Sequence, residues 1–296
     1  MSVMGFGEAL SLGCAVSWAF VLILFRHTGK SVHPFALNLF KNVIAFGLFI
    51  PTILLWHGPH LPRIEAADTG RLLLSGFLGL GVADTLVFTS LNVLGAGVMA
   101  IVECLYSPFV ILFSLIWLGE TLSRTQALGC ALVVIAVFIA SVTINVKGVP
   151  KRDIQRGIVI GMAAIIMIAA GVVIAKPALA GTPLLWAIET RYLGGLVGVL
   201  ALRPFLKGKV GEAVPRLSRN EWLTLFGSAA AAYLQMILWL GGMKFAQASI
   251  AAVLNQTATI FTIVLAALIL HEPITRVRFG AATLAMAGVV LITRYL

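Results

Sequence analysis

Residues 96–137 and 248–289 are two versions of one segment. Set in register, Ala96 falls on Ala248, Ala100 on Ala252, Phe109 on Phe261 and Leu118 on Leu270. Glu120 then falls on Glu272 and Arg124 on Arg276, an offset of 152 residues throughout. Each copy is a long apolar run, a short polar turn carrying Glu and Arg, and a second apolar run. A repeat of this length divides the chain into two similar halves, and each half must fold the same way.

Composition fixes the solvent. Hydrophobic residues fill 60% of the 296 positions and charged residues 11%, against roughly 25% charged in a soluble domain. Lipid must cover that much apolar surface. Runs of about 20 apolar residues, the length that crosses a bilayer as helix, fall at 5–26, 34–56, 70–92, 95–118 and 123–144, then at 154–176, 183–204, 220–243, 247–270 and 275–294. None alternates strictly, so the runs are helices rather than barrel strands. The expected fold is an all-α integral membrane protein of ten transmembrane helices, arranged as two inverted five-helix repeats, residues 1–146 and 147–296. Five spans are an odd number, so the second repeat enters the membrane from the opposite side. That geometry places a shared site at the repeat interface near the midplane and supplies two mirror-related states.

The net charge of +10 does not point to nucleic acid. Lys147, Lys151, Arg152, Arg156, Arg203, Lys207, Lys209, Arg216 and Arg219 sit in short loops between apolar runs, where basic residues meet lipid head groups. Counted by loop, the positive charge puts the termini outside. Cys14, Cys104 and Cys130 lie inside apolar runs without paired spacing and read as small core residues. The HGPH segment at 57–60 offers two histidines, too few for a metal site. No span contains a His or an HExxH-like pair, so an intramembrane enzyme lacks its constellation, and neither cofactor nor metal is expected.

Ionisable residues inside a span cost roughly 2.5–3.5 kcal/mol each at the centre, so each needs a reason. Away from the span ends the candidates are Lys41, Asp84, Glu103, Glu189 and Arg191. Glu103 has Tyr106 and Ser107 one turn on; it is a candidate for a coupling proton or a substrate ammonium, or else the partner of Lys41 or Arg191. Lys41 and Arg191 occupy equivalent places in their halves, about 10–12 Å into their helices. They suit a substrate carboxylate or phosphate, or they neutralise Asp84 and Glu189. Trp18 stands mid-span, away from the interfaces where Trp gathers. Gln235 with Trp239, and Asn255 with Thr259, are polar pairs one helical turn apart. The candidate binding set is therefore Trp18, Lys41, Asp84, Glu103, Tyr106, Arg191, Gln235, Trp239 and Asn255, a mostly apolar pocket with a few placed polar groups. Glu120 and Glu272, each opening an E-x-[LI]-[ST]-R turn, read as helix caps or partners of the following Arg.

The segments LNVLGAGVMAIVE, Pro108, LGET and ALGCALVV, with GMKFAQASIAA, HEPIT and FGAATLAMAGVV in the second half, resemble the EamA domain of the drug/metabolite transporter superfamily. The resemblance covers essentially the whole chain. It implies a ten-helix exporter of small metabolites, often amino acids, working by alternating access in the cell (inner) membrane. It further implies a monomer with lipid, a small-molecule substrate and a proton as the candidate partners. An organic-anion or sugar-phosphate exchanger and a multidrug exporter are the alternatives within that fold. Two departures stand out: Ile260 replaces the mid-span proline in the second half, and Trp18 stands where small multidrug exporters carry a proton-binding glutamate. Glu103 is then the candidate for that role. The family's cytoplasmic termini oppose the charge count.

Overall fold

The computed structural model describes residues 5–58, 62–119, 121, 123–143, 146, 148–206 and 218–293. Glu120, His60, Lys147, Lys207, Lys209, Arg216 and Arg294 lie outside the described residues. The helices are α1 (Phe6–Thr28), α2 (Pro34–His57), α3 (Ala66–Leu94), α4 (Ala96–Glu103 and Tyr106–Trp117) and α5 (Arg124–Thr143). The second repeat follows with α6 (Lys151–Gly181), α7 (Leu184–Ala201), α8 (Arg219–Phe245), α9 (Ala248–Gln256 and Ala258–Ile269) and α10 (Arg276–Thr293). Among the described residues no strand occurs, and nine helices are long and apolar enough to cross a membrane, with α10 a further helix of 18 residues. The chain is an all-α integral membrane protein. Two spans run longer than the apolar count gives, α3 from Ala66 and α6 from Lys151 to Gly181, because polar residues extend each helix past the apolar core.

The repeats interleave by exchange of equivalent partners. Helix α1 packs on α8 and α9, while α6, its counterpart, packs on α3 and α4. Helix α3 packs on α7 as α8 packs on α2, and α5 pairs with α10 at the periphery. Close approach depends on glycine. A Cβ at Gly76 of α3 would stand 1.8 Å from the carbonyl oxygen of Arg191, and one at Gly194 of α7 would stand 2.1 Å from that of Leu73. Small residues let helix backbones touch where lipid offers no hydrophobic drive to association. Gly76→Ala should therefore part α3 from α7 and cost about 3 kcal/mol or more, read as a lowered thermal midpoint in detergent. Gly70→Ala, with open space around it, should leave the midpoint unchanged or slightly raised.

Three of the spans are not plain helices, and the departures cluster at mid-membrane. In α3, Phe77–Ala83 is wound as a π-helix, so that the Asp84 N–H bonds the Gly79 carbonyl. π-Turns free backbone carbonyls; here Asn38 Nδ2 donates to Leu80 O (3.0 Å) and Gly81 O (2.8 Å), and Asn42 Nδ2 to Leu80 O (3.0 Å). Helix α4 breaks directly after Glu103, where Pro108 removes a backbone donor and Cys104 and Leu105 tighten into i−3 bonds. Helix α9 breaks at the equivalent Thr257 although Ile260 replaces the proline; Thr257 donates both its N–H (3.1 Å) and its hydroxyl (2.7 Å) to Leu254 O. The two broken helices cross symmetrically. Ser107 Oγ donates to Ala252 O and Thr259 Oγ1 to Ala100 O, each at 3.3 Å. Those four residues are related by the same 152-residue register, so the crossing lies on the axis that relates the repeats.

Candidate functional site

A cavity of about 930 Å³, counting the space at its mouth, opens between the repeats. Trp18, Lys41, Asp84, Glu103, Tyr106, Arg191, Gln235, Trp239 and Asn255 all line it. They come from α1, α2, α3, α4, α7, α8 and α9, which the crossings bring together. Apolar and aromatic wall is supplied by Phe25, Phe88, Ile165, Ile168, Tyr192 and Met236. The Phe25 and Phe88 rings meet at 4.6 Å.

The charges are committed unequally. Lys41 forms an ion pair with Asp84 and lies 5.8 Å from the centroid of Phe88. Lys41 is 3% exposed, and a buried ammonium without such a partner would be very costly. Glu103 pairs with neither Lys41 nor Arg191; its Oε2 accepts a hydrogen bond from Trp18 Nε1 at 3.1 Å. Of the readings open from sequence, the ion pair with Lys41 or Arg191 is thus absent among the described residues.

Arg191 is 1% exposed, and its guanidinium carbon stands 4.9 Å from the ring centroid of Trp239. Its Nε and Nη1 have no hydrogen-bond partner, and it forms no ion pair, among the described residues. Glu189, two residues earlier, does not line the cavity, and its Oε2 also has no partner among the described residues. Both amide atoms of Asn255 are likewise without a partner among them. Gln235 Nε2 donates to Cys14 Sγ at 3.5 Å.

Sequence reasoning missed Asn38 and Asn42, which hold the π-turn beneath Asp84, and Tyr192, which lines the cavity beside Arg191. The two asparagines lie one turn apart in the span that carries Lys41, so a search for uncharged polar pairs would have found them. Among the described residues no group of three or more His, Cys, Asp or Glu side chains is placed to hold a metal ion. The arrangement offers a small molecule one unpaired cation, one carboxylate and an aromatic wall, at the level where the spanning helices break.

The chain is a duplicated membrane fold with a mostly apolar cavity between its repeats, the architecture of a membrane carrier. Residues 5–142 and 155–294 each match the model of the EamA-like transporter family. The chain belongs to that family, within the drug/metabolite transporter superfamily. An uncharacterized transporter of Archaeoglobus fulgidus is 28% identical over 130 residues, 44% of this chain and 46% of that protein. The chain thus matches just under half the length of that relative. A solved crystal structure, described only as that of a protein, shares the fold with a TM-score of 0.72 at 16% identity, over 99% of this chain and 100% of that one.

Proposed function

We propose that the protein exports a small metabolite, an α-amino acid, across the cell (inner) membrane by alternating access, acting as a monomer of two repeats, 1–146 and 147–296. One observation carries the reading: Arg191 and Glu103 face one cavity with opposite charge and are not paired with each other. A zwitterion answers both. The Arg191 guanidinium takes the carboxylate through two parallel N–H donors, and the Glu103 carboxylate accepts the ammonium while Trp18 holds it in place. The side chain packs against Phe25, Phe88 and Trp239. Glu103 is also the group that exchanges a proton for the substrate, since it alone of the two cavity carboxylates has no cation.

The organic-anion and sugar-phosphate readings need two free cations. The Lys41–Asp84 pair leaves one, which favours the amino acid. Counterflow in proteoliposomes tests this: neutral amino acids should exchange and phosphate esters should not, and the reverse result would sink the proposal. Glu103→Gln should raise the half-saturating amino-acid concentration about 10- to 100-fold, the value of a hydrogen bond between charged groups. Its thermal midpoint should stay within about 2 °C of the parent, because glutamine still accepts from Trp18.

A further inference from the structure

The turn between α9 and α10 reaches into the other repeat. Glu272 accepts hydrogen bonds from the backbone N–H groups of Ala96 (2.8 Å) and Gly97 (3.0 Å), the first turn of α4. Arg278 of α10 holds the same carboxylate at 3.6 Å. Arg26 of α1 lies within electrostatic reach of it and donates to Asn92 O at 2.8 Å, while Asn92 Nδ2 donates to Gly29 O at 3.0 Å. These contacts tie α1, α3 and α4 of the first repeat to the α9–α10 turn of the second, on the face where α1 ends and α4 begins. The fit is close. Gly95 has φ +80°, and a Cβ there would stand 2.6 Å from Glu272 Oε1. Carboxylate, helix N-terminus and arginine are electrostatically complementary.

In the repeat register the residues equivalent to Arg278 and Gly95 differ. Gln126 falls where Arg278 stands, and Gln247, extended at φ −62°, falls where Gly95 stands. Gln126 instead accepts from the Ser123 N–H at 2.9 Å. The sequence thus has neither an arginine at position 126 nor a glycine at position 247, the places equivalent to Arg278 and Gly95.

We propose that Glu272 latches this face shut across the two repeats, and that the sequence difference at positions 126 and 247 biases the resting protein toward closure here. The proposal rests on the alternating-access reading and not on the identity of the substrate. The native Cys14 lines the cavity and reports on it once Cys104→Ser and Cys130→Ser leave it the sole thiol. A membrane-impermeant maleimide is applied to either face of oriented vesicles. The parent should label faster from the face opposite the latch. Glu272→Gln should raise the rate from the latch face about fivefold, the difference between a charged and a neutral acceptor. Arg278→Gln should raise it less, and Glu272→Asp should return it toward the parent. Equal rates from both faces in the parent would remove alternating access and the latch together. A face preference that Glu272→Gln and Arg278→Gln both leave unchanged would remove the latch alone.

Discussion

Arg191→Met is expected to abolish amino-acid counterflow while leaving the protein as stable as its parent, or more stable. The two halves of that expectation have one cause. In the substrate-free protein the guanidinium is 1% exposed, with Nε and Nη1 unpartnered among the described residues, and its compensation is the face of Trp239 at 4.9 Å. A cation–π contact supplies about 2 kcal/mol when desolvated, less than burying a charge costs. A methionine of similar reach keeps the packing and removes the charge, a change that is often neutral or stabilising by about 1–4 kcal/mol. With substrate bound, the same site loses two charge-assisted hydrogen bonds worth about 1.5–3 kcal/mol each, so uptake should fall at least ~100-fold. Arg191→Lys should recover little, because an ammonium offers a point charge in place of the planar fork. Counterflow and thermal unfolding on the same preparation decide it. A variant that loses stability and keeps transport would show Arg191 to be scaffold.

Much of this site was legible in the sequence, for a physical reason. Charge within lipid is so costly that a spanning helix carries few ionisable residues deep inside it, and of the five found there Lys41, Asp84, Glu103 and Arg191 line one cavity with the five polar and aromatic candidates, while Glu189 does not. The break of α9 was not legible, since Ile260 stands where the first half has Pro108 and a local side-chain bond of Thr257 marks the break instead. The sequence left several partners open for each charge, neutralisation of Asp84 among them, and did not choose between them. Lys41 meets Asp84 because the π-turn, held by Asn38 and Asn42, fixes the start of the helical segment that Asp84 opens. Nothing in local spacing reports a π-turn. Glu272 was expected to cap a helix or pair with Arg276; it caps α4 from the other repeat and pairs with Arg278. Such pairings depend on how closely helices approach, which at α3 and α7 is set by absent side chains, Gly76 and Gly194.

The Lys41–Asp84 pair separates scaffold from binding site most sharply when both partners are removed. Lys41→Met alone strands a carboxylate in the cavity wall, and Asp84→Leu alone strands an ammonium that is 3% exposed. Each should cost about 3–5 kcal/mol, the loss seen when one member of a buried ion pair is deleted. The double variant strands nothing, and its stability should return to within about 1 kcal/mol of the parent. The coupling energy between the two positions is then several kcal/mol, as expected for residues in direct contact. Transport discriminates further. With the substrate carboxylate on Arg191, the double variant should retain counterflow within about threefold, a change worth less than 1 kcal/mol. Were Lys41 itself the substrate's cation, restoring stability would not restore transport, and the double variant would be as inactive as Lys41→Met. The opposite expectation holds for Arg191, where no second substitution on the protein side should rescue function, since its partner is supplied by the substrate. On the proposed function, two cations at equivalent places in the two repeats serve different ends, one neutralised within its own repeat by Asp84 and one left for the ligand.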